Sequence, residues 1–596
     1  MEIKYFVGID FGHGETTVSR APGYNGEPVS QVAIRLTSDD KVKKIISAVG
    51  RKDDQWTLVY GDEDYKMEDL REGFKRRVSE MTDKDKESMR EFAKLVFEAI
   101  LKNDTELEYS SEEERNFVLG IACPSGWGKD DCCAQQEYLH FFRNECGLPV
   151  DLCIKESDAA FFSKYKSYDE DDNVFVIDLG SSTIDFTTYA RRKCVADLCW
   201  GENFGAHLID DILIKRVLNT EENADRIKNV KEFKQSLGVA DGVEAALSLF
   251  VRKCKEDFFT NNNQLYYLQV NYSQFCPWPG SVFQPCVQYS ATREEFDEII
   301  SEYKMGIIDV LSNAKIKLNQ NGISPNKVLL SGGACRMPFI KSCTEKIFGV
   351  KVDVDHLPEC VVSNGIALYS KSRKELEDKV RDRLLRINYS DLYISSDRKA
   401  TAKATQDLFP NVLNKIQGNE DLSGSQMFSE IASFFLGLNS SNEKYKKIFT
   451  DELNVDLSTR VASYIKGAIS EVYNRDMNDM DIKVHIEPII MCYPFEFFSE
   501  GNGGLKIYRL LEEATGPHII TSFDTNKTRS ASVRSIIAKK CREKLCTGDP
   551  FGIGYENDGL NAVTNDIKEQ CLSQAMMIIN SAELFETTYI LKPTDI

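Results

Sequence analysis

The sequence predicts an α/β protein whose first part contains two similar units, followed by a mainly helical region. A strand, an aspartate, a turn of small residues and a second strand occur in this order twice, around Asp10 and around Asp178. A third buried strand, Lys327–Leu330, opens into a further glycine turn. Towards the C-terminus the sequence becomes strongly charged and helical patterns dominate. We therefore expect two domains, residues 1–373 and residues 374–596.

The bulk composition is that of an ordinary globular protein and argues against several classes of function. The chain has 596 residues, 42% hydrophobic and 28% charged, and is too long for one hydrophobic core. Its net charge of −20 argues against a broad surface for nucleic acid or for an anionic membrane. Because no apolar run is long enough to span a bilayer, we expect neither nucleic acid nor a membrane as a partner.

The cysteine and histidine patterns indicate a reducing environment. The 17 cysteines show no repeated pairing, and the six histidines lie far apart, so no zinc-type spacing is present. The N-terminal segment Met1–Asp10 lacks the charged-then-apolar layout of a secretory signal. We expect a cytoplasmic setting in which the cysteines are mostly small core residues.

The most informative stretch is Asn173–Tyr189. An apolar run precedes Asp178, the turn Gly180–Thr183 follows, and Asp185 begins a β-branched run. Successive backbone N–H groups in such a turn form a cradle for phosphate. Carboxylates beside a phosphate suit a hard divalent cation, usually bound through water. The same pattern also fits a turn that only connects two strands.

Two other turns repeat this arrangement. The apolar run Tyr5–Asp10 leads into the turn Phe11–Glu15, after which a strand pattern resumes. The strand Lys327–Leu330 leads into Ser331–Pro338, whose sequence is SGGACRMP. Each turn alone is a weak signal, and their common position directly after a buried strand strengthens the prediction of an anion-binding site.

Strands and helices alternate between the turns. The charged segment Asp69–Arg77 and the amphipathic segment Lys86–Leu101 are predicted as helices. Asn116–Cys123 is predicted as a buried strand. Further helices are predicted at residues 130–146, 156–165, 208–218 and 243–259, and from a capping box at Thr292–Glu295.

The three turns resemble the two phosphate loops and the adenosine loop of the actin-like ATPase superfamily. They are Asp10–Gly14, Asp178–Asp185 and Leu330–Pro338. Within that superfamily, residues 1 to about 373 are most similar to the heat shock protein 70 family, the seventy-kilodalton chaperones. Further segments that carry the similarity are Glu156–Ala160, Phe204–His207, Arg252–Phe259, Thr292–Phe296, Pro358–Glu359 and Gly365–Ala367.

The resemblance implies an actin-like ATPase fold, with two lobes built on ribonuclease-H-like halves around a nucleotide cleft. It implies ATP or ADP and Mg²⁺ as cofactors, since phosphoryl transfer to water depends mainly on positioning and charge neutralisation. By the same resemblance, Asp10 and Asp178 hold Mg²⁺, mostly through water. The residues implied to act in catalysis are Asp10, Lys75, Glu156, Asp178, Thr183 and Asp185.

The individual roles follow from the same resemblance. Asp185 and Glu156 belong to the network of waters, and Thr183 lies near the γ-phosphate. Lys75 reaches the γ-phosphate, a role that Arg76 or Arg77 could also take. The residues implied to bind the nucleotide are Gly12, His13, Gly14, Gly180, Ser181, Ser182, Gly205, Lys255, Gly332, Gly333, Ala334 and Arg336.

Several positions depart from the family pattern. His13-Gly14 replaces a pair of hydroxyl residues, and His13 either donates to a phosphate or caps the turn. Ser181-Ser182 replaces two glycines, which adds side chains where the backbone approaches phosphate. Glu256 and Phe259 stand where the family has an arginine and a serine around the base. These positions bear on the rate of hydrolysis and on base preference.

The C-terminal region departs most from the family. The chaperone pattern has an apolar-acidic linker, a β-sandwich and a helical lid, and residues 374–596 show neither that linker nor evenly spaced strands. Helical patterns occur at Met427–Leu438 and Ser458–Tyr473 instead. The aromatic clusters Phe434–Phe435 and Phe495–Phe498 belong either to a core or to a surface that binds a partner.

We expect an ATP-binding, slowly hydrolysing, chaperone-like protein. Closure of the cleft around Mg-ATP would signal to a C-terminal domain that binds a protein partner or client. Three alternatives stay open: a nucleotide-gated interaction module with little or no hydrolysis, a small-molecule kinase on the same fold, and a filament-forming actin-like protein.

Overall fold

A computed structural model describes residues 3–23, 30–32, 34–35, 41–42, 44–125, 131–169, 171–191, 193–236, 242–272, 286–419, 424–436, 443–473, 483–487, 535, 538–539 and 557–579. The described residues form two compact units, one that extends to Glu375 and one that begins at Leu376.

The first unit is a mixed α/β structure, which confirms the predicted class. Its described strands are β1 Tyr5–Phe11, β2 Glu15–Pro22, β3 Ser30–Gln31, β4 Ile34–Arg35, β5 Lys41–Val42, β6 Lys44–Ile46, β7 Ala48–Lys52, β8 Gln55–Leu58, β9 Glu68–Glu72, β10 Phe117–Cys123, β11 Val150–Lys155, β12 Asn173–Leu179, β13 Ile184–Ala190, β14 Lys193–Glu202, β15 Leu265–Asn271, β16 Cys286–Thr292, β17 Lys327–Ser331 and β18 Val352–Val354.

Helices accompany these strands along the chain. They are α1 Asp83–Asn103, α2 Asp131–His140, α3 Glu156–Lys164, α4 His207–Leu218, α5 Glu221–Ser236, α6 Val243–Thr260, α7 Arg293–Ile299, α8 Ser301–Gln320, α9 Pro338–Phe348 and α10 Val361–Leu385. The predicted capping box at Thr292 is present, because its side chain accepts a hydrogen bond from the Glu295 backbone N–H.

The two largest sheets share one strand order. The first runs β11-β10-β1-β2-β3, and β6 also pairs with β2; the second runs β18-β17-β12-β13-β14. In each sheet a central strand pairs antiparallel with the strand that follows it and parallel with a later strand. The sequence repeat around Asp10 and Asp178 therefore corresponds to two sheets of like topology. This arrangement is consistent with a two-lobed ATPase-like fold.

Burial explains why the central strands read as unbroken apolar runs. In β12, all residues from Val174 to Leu179 are buried, as expected for a strand with a parallel neighbour and both faces covered. Phe175 stacks on Phe186 of β13 with ring centroids 5.6 Å apart. In the first sheet, Phe11 stacks on Phe142 with centroids 4.7 Å apart. Each large sheet thus has its own hydrophobic core.

The predicted helix at residues 69–77 is wrong. Glu68–Glu72 forms β9, which pairs antiparallel with β7. The Arg71 guanidinium lies 4.7 Å from the centroid of the Trp56 ring and forms an ion pair with Glu87 at 2.7 Å. The charged side chains of this segment contact residues that are distant in the sequence. Its local charge pattern therefore does not predict its secondary structure.

The second unit is helical wherever the structure describes regular elements. Its helices after α10 are α11 Tyr389–Gly418, α12 Gly424–Leu436, α13 Glu443–Tyr473 and α14 Asn557–Ile579. Apolar side chains from these helices form one core. Phe434 is partly buried against that core, 5.1 Å from Phe409 between ring centroids, whereas the cluster Phe495–Phe498 lies outside the described residues.

A buried carboxylate ties α11 to α13. Asp456 accepts hydrogen bonds from Ser396 at 2.8 Å and Lys399 at 2.6 Å, and it pairs with Arg460 at 2.6 Å. Burial acts against its charge, but these donors hold the pKa of Asp456 below its usual range. Across the described ranges, no helix combines the length and apolar character that crossing a membrane requires.

Candidate functional site

The three predicted turns meet at one cavity in the first unit. The cavity has a volume of about 390 Å³. The strands β12 and β17 are parallel, with Asp178 opposite Ser331 in the register, so the turns that follow them lie at the same sheet edge. The turn between β1 and β2 faces them from the other large sheet. The shared strand order thus explains why segments more than 300 residues apart converge.

Most of the predicted site residues line this cavity. They are Asp10, Gly12, His13, Gly14, Lys75, Glu156, Asp178, Gly180, Ser181, Ser182, Thr183, Lys255, Gly332, Gly333, Ala334 and Arg336. Arg76 and Arg77 are not among the lining residues, and the Arg76 side chain is 58% exposed. The structure therefore brings Lys75, rather than either arginine, to the cavity, while the chemical roles of these residues stay predictions.

Asp185 and Gly205 lie beside the cavity instead of lining it. Asp185 is buried opposite Asp178 in the β12–β13 register. A Cβ atom on Gly205 would stand 2.2 Å from the carbonyl oxygen of Ser181, so only glycine fits there. The next backbone N–H, of Ala206, donates to the carbonyl oxygen of Gly180 at 3.2 Å. Gly205 thus packs closely beneath the second turn.

The centre of the cavity holds a cluster of carboxylates with one lysine. The Lys75 ammonium donates to Oε1 of Glu156 at 2.5 Å, and both side chains are buried. Burial first, and then the charge of Glu156, raises the pKa of Asp10 well above its usual value. The same two causes raise the pKa of Asp178 to about 7, although Ser331 donates a hydrogen bond to it at 2.5 Å. The cluster carries more negative charge than Lys75 alone can balance.

This cluster fits a hard divalent cation. The Oδ1 atom of Asp10 is buried and has no hydrogen-bond partner. The described residues include no group of three His, Cys, Asp or Glu side chains placed to hold a metal ion directly. Mg²⁺ commonly takes one or two carboxylates, keeps several waters and completes its shell with phosphate oxygens. Asp10 and Asp178 supply the oxygen donors that such an ion needs.

His13 is held neutral in the first turn. Its Nδ1 lies 3.4 Å from the carbonyl oxygen of Lys75, and its ring centroid lies 6.1 Å from that of His207. Burial first, and then the nearby Arg252, lowers the pKa of His13 to about 3. The imidazole is therefore uncharged at neutral pH, and its contact with the Lys75 carbonyl ties the first turn to the segment that carries Lys75.

Arg252 is a lining residue that the sequence reasoning missed. Its Nη1 donates to the carbonyl oxygen of Gly14 at 3.0 Å, and its Nη2 lies 3.6 Å from Oε2 of Glu72. The side chain is buried on α6, so it fastens the first turn to a helix that packs with the second sheet. A sequence pattern could have identified Arg252, because Arg252 and Lys255 lie three residues apart on an otherwise apolar face of a helix.

Lys255 is neutralised within the protein. Its Nζ forms a buried ion pair with Asp210 at 2.8 Å and donates to the carbonyl oxygen of Ala206 at 3.2 Å. We expected it to bind the nucleotide, and it does line the cavity. Its charge, however, is directed at Asp210 of α4.

The outer part of the cavity carries paired charges, of which the sequence reasoning had assigned only Arg336 to the site. Lys44 pairs with Glu15 and lies 3.5 Å from Glu256. Arg336 forms a bidentate pair with Glu359, in which Nη2 donates to Oε1 at 2.6 Å and Nε donates to Oε2 at 3.1 Å. Lys44 thus links the first turn to α6, and Arg336 links the third turn to the segment just before α10. The remaining lining residues are Thr17, Pro124, Ala206, Phe259, Thr260, Met337 and Val362.

Comparison with known proteins gives a partial similarity. No family model matches the sequence. The chain is similar to the mitochondrial-type heat shock protein 70 of Encephalitozoon hellem, with 22% identity over 225 residues. It is similar to the protein of the same name from Encephalitozoon cuniculi (strain GB-M1), with 25% identity over 229 residues. Each match covers 37% of this chain and 36% of the relative, so the chain matches these relatives over little more than a third of their length.

Proposed function

We propose that this chain is an actin-like ATPase of the heat shock protein 70 type, which binds Mg-ATP in the cavity and hydrolyses it slowly. The observation that carries the proposal is the meeting of three strand-end turns around the cluster of Asp10, Lys75, Glu156 and Asp178. The partial similarity to two heat shock protein 70 sequences supports the same assignment.

The turns supply the phosphate-binding groups. The turns Gly12–Gly14 and Gly180–Thr183 both line the cavity, and the backbone N–H groups of His13–Gly14 and Ser181–Thr183 would hold the phosphates without a charged side chain. The glycines of the third turn, Gly332 and Gly333, leave room for the ribose and base. A Cβ atom on Gly332 would stand 2.2 Å from the carbonyl oxygen of Leu179, so this turn packs directly on the end of β12.

The carboxylates and the lysine would position the reacting groups. Mg²⁺, held by Asp10 and Asp178 through water, would supply neutralising charge to the phosphate oxygens. Lys75 would place its charge at the terminal phosphate, and Glu156 would fix Lys75 and orient a water for attack. Because Glu156 already accepts a hydrogen bond from Lys75, the pair is preorganised before the nucleotide binds.

The second unit would respond to whether a nucleotide is bound in the cavity. Closure around the nucleotide would alter how residues 374–596 bind a protein partner or client. We place the protein in a reducing compartment, the cytoplasm, because the described cysteines are free thiols. The net charge of −20 favours a protein partner over nucleic acid or an anionic membrane.

Calorimetry with purified protein tests the proposal. We expect binding of ATP that depends on Mg²⁺ and that Asp10→Asn weakens at least tenfold, since the variant removes one oxygen donor of the cation. The matched control is Asp104→Asn, which changes a buried aspartate that does not line the cavity. The proposal fails if no Mg-dependent binding is measured, or if Asp10→Asn binds ATP as the unchanged protein does.

A second candidate, a nucleotide-gated module with little hydrolysis, is favoured by the second turn. Its Ser181 Cβ lies 3.2 Å from where a Cβ atom of Gly14 would stand, so side-chain atoms occupy the gap between the two turns. Single-turnover measurements separate the two candidates. The module would be favoured if ATP stays bound but is not hydrolysed far beyond the time that a slow ATPase needs for one turnover. It would also be favoured if the rate of hydrolysis rises in the double variant Ser181→Gly/Ser182→Gly.

A further inference from the structure

Two cysteines on β14 lie in contact away from the cavity. The Sγ atoms of Cys194 and Cys199 are 3.2 Å apart. The strand β14 is the edge strand of the second large sheet, paired on one side with β13. Both cysteines are only partly buried.

An irregularity in β14 brings these side chains together. Cys194 pairs with Tyr189 and Cys199 pairs with Thr187, although five positions separate the cysteines and two separate their partners. Paired residues in an antiparallel register share a face, and Thr187 and Tyr189 share one because they are two residues apart. The bulge therefore places both thiols on one face. Partners two residues apart imply a Cα separation of about 7 Å, at the upper edge of the range for disulfides.

The surroundings favour a thiolate at Cys199. A hydrogen bond from the Cys194 thiol is the main cause that lowers the pKa of Cys199, and burial opposes it. Lys155 and a hydrogen bond from Thr187 act in the same direction as Cys194, whereas the charge of Asp158 opposes them. The thiolate is the nucleophilic form of cysteine, and its nearest sulfur neighbour is already in contact.

We propose that Cys194 and Cys199 form an oxidisable dithiol that closes to an intramolecular disulfide when hydrogen peroxide is supplied. The Cys199 sulfur attacks a peroxide oxygen, the O–O bond breaks, and one water leaves with a sulfenic acid on Cys199. The Cys194 sulfur then attacks Cys199 Sγ, the S–O bond breaks, and a second water leaves. Two electrons and two protons pass from the dithiol to the peroxide. Reduction by an external dithiol returns both thiols.

A second thiol pair in the same unit provides an internal control. Cys123 and Cys153 also share a hydrogen bond, but both side chains are buried. Burial is the main cause that raises the pKa of Cys153 well above its usual value. A reactive site needs exposure as well as a thiolate, so this pair is expected to react about tenfold more slowly than Cys194–Cys199.

Mass spectrometry of the peroxide-treated chain tests the proposal. The native protein is exposed to hydrogen peroxide, free thiols are blocked with N-ethylmaleimide, and the chain is digested with trypsin without reduction. Cleavage after Lys193 and Lys215 leaves both cysteines in one peptide, residues 194–215. We expect this peptide to lose the mass of two hydrogen atoms and to resist the blocking reagent. After reduction it should regain the two hydrogen atoms and react with the blocking reagent again.

Variants and the internal control make the outcome decisive. Cys194→Ser and Cys199→Ser are each expected to abolish the two-hydrogen loss, whereas Cys343→Ser, at a partly buried cysteine on α9, leaves it unchanged. The wild-type result stands without the variants, should either fail to fold. The proposal is overturned if residues 194–215 stay fully blocked while Cys123 and Cys153 oxidise. It is equally overturned if Cys199 advances to a sulfinic acid without bonding to Cys194.

Discussion

The Lys75 ammonium and the Glu156 carboxylate are joined by a buried hydrogen bond of 2.5 Å, although 81 positions separate them in the chain. Burial disfavours the charge of Lys75, but Glu156 and then Asp10 raise its pKa. Lys75 is the positive charge in a cluster that also contains Asp10 and Asp178. The pair of Lys75 and Glu156 therefore governs both the stability and the electrostatics of the cavity.

Replacement of Lys75 by methionine tests that balance. Lys75→Met leaves Glu156 buried without its partner, and we expect the free energy of unfolding to fall by about 3 kcal/mol. Urea denaturation followed by circular dichroism measures the change. The matched control is Arg76→Met, at a 58% exposed side chain in the next position, with an expected change within about 0.5 kcal/mol. Equal losses in the two variants would contradict the assigned role of Lys75.

Asp10→Asn is expected to stabilise the nucleotide-free protein. The raised pKa of Asp10 means that the folded state binds its proton more tightly than the unfolded state does, so ionisation of Asp10 costs stability as pH rises. Asparagine removes that cost at neutral pH. Scanning calorimetry should therefore show a higher Tm without nucleotide, while Mg-ATP no longer raises it. A lower Tm in the nucleotide-free variant would argue against the excess of negative charge.

The neutral state of His13 predicts a pH dependence of stability. The pKa of His13 is about 3 in the folded protein, against 6.5 as the ordinary value, so the unfolded state takes up a proton first as pH falls. Its contribution to stability is present above pH 6.5 and is lost between about pH 6.5 and pH 3. The loss between pH 7 and pH 5 amounts to about 2 kcal/mol.

Comparison with His13→Asn isolates this contribution. Chemical denaturation at pH 7 and pH 5 should show a smaller difference for the variant than for the wild type. The control is His356→Asn, at an 86% exposed side chain, which should change the free energy of unfolding by no more than about 0.5 kcal/mol at pH 7. A proton NMR signal of His13 that titrates between pH 5 and pH 8 would contradict the buried neutral state.

Arg252→Met is expected to loosen the first turn. The change removes the donor to Gly14 and leaves Glu72 without its ion-pair partner, at a cost of about 3 kcal/mol. Lys253→Met, at a 43% exposed neighbour on the same helix, is the control and should cost less than about 1 kcal/mol. In Arg252→Met/Glu72→Gln the loss should be smaller than in Arg252→Met alone, because the unpaired charge is gone. Purely additive losses would mean that the two residues are not coupled.

The turns could be predicted because their determinants are local. The apolar run before Asp178 and the small residues of Gly180–Thr183 lie within one short segment, and strand burial and turn chemistry depend on near neighbours. The same reasoning found the capping box at Thr292. It failed at Asp69–Arg77, where contacts of Arg71 with Trp56 and Glu87 stabilise a strand in place of the predicted helix.

The sequence by itself determined the α/β class, the three turns and most of the residues that line the cavity. Only the tertiary structure decided which partners the buried charges have: Lys75 has Glu156, Arg252 has Glu72 and the Gly14 carbonyl, and Lys255 has Asp210. The physical reason is that burial periodicity and turn composition act over a few residues. The pairing of charged side chains instead depends on which strand ends and helix faces become neighbours, and the packing of the two sheets sets that.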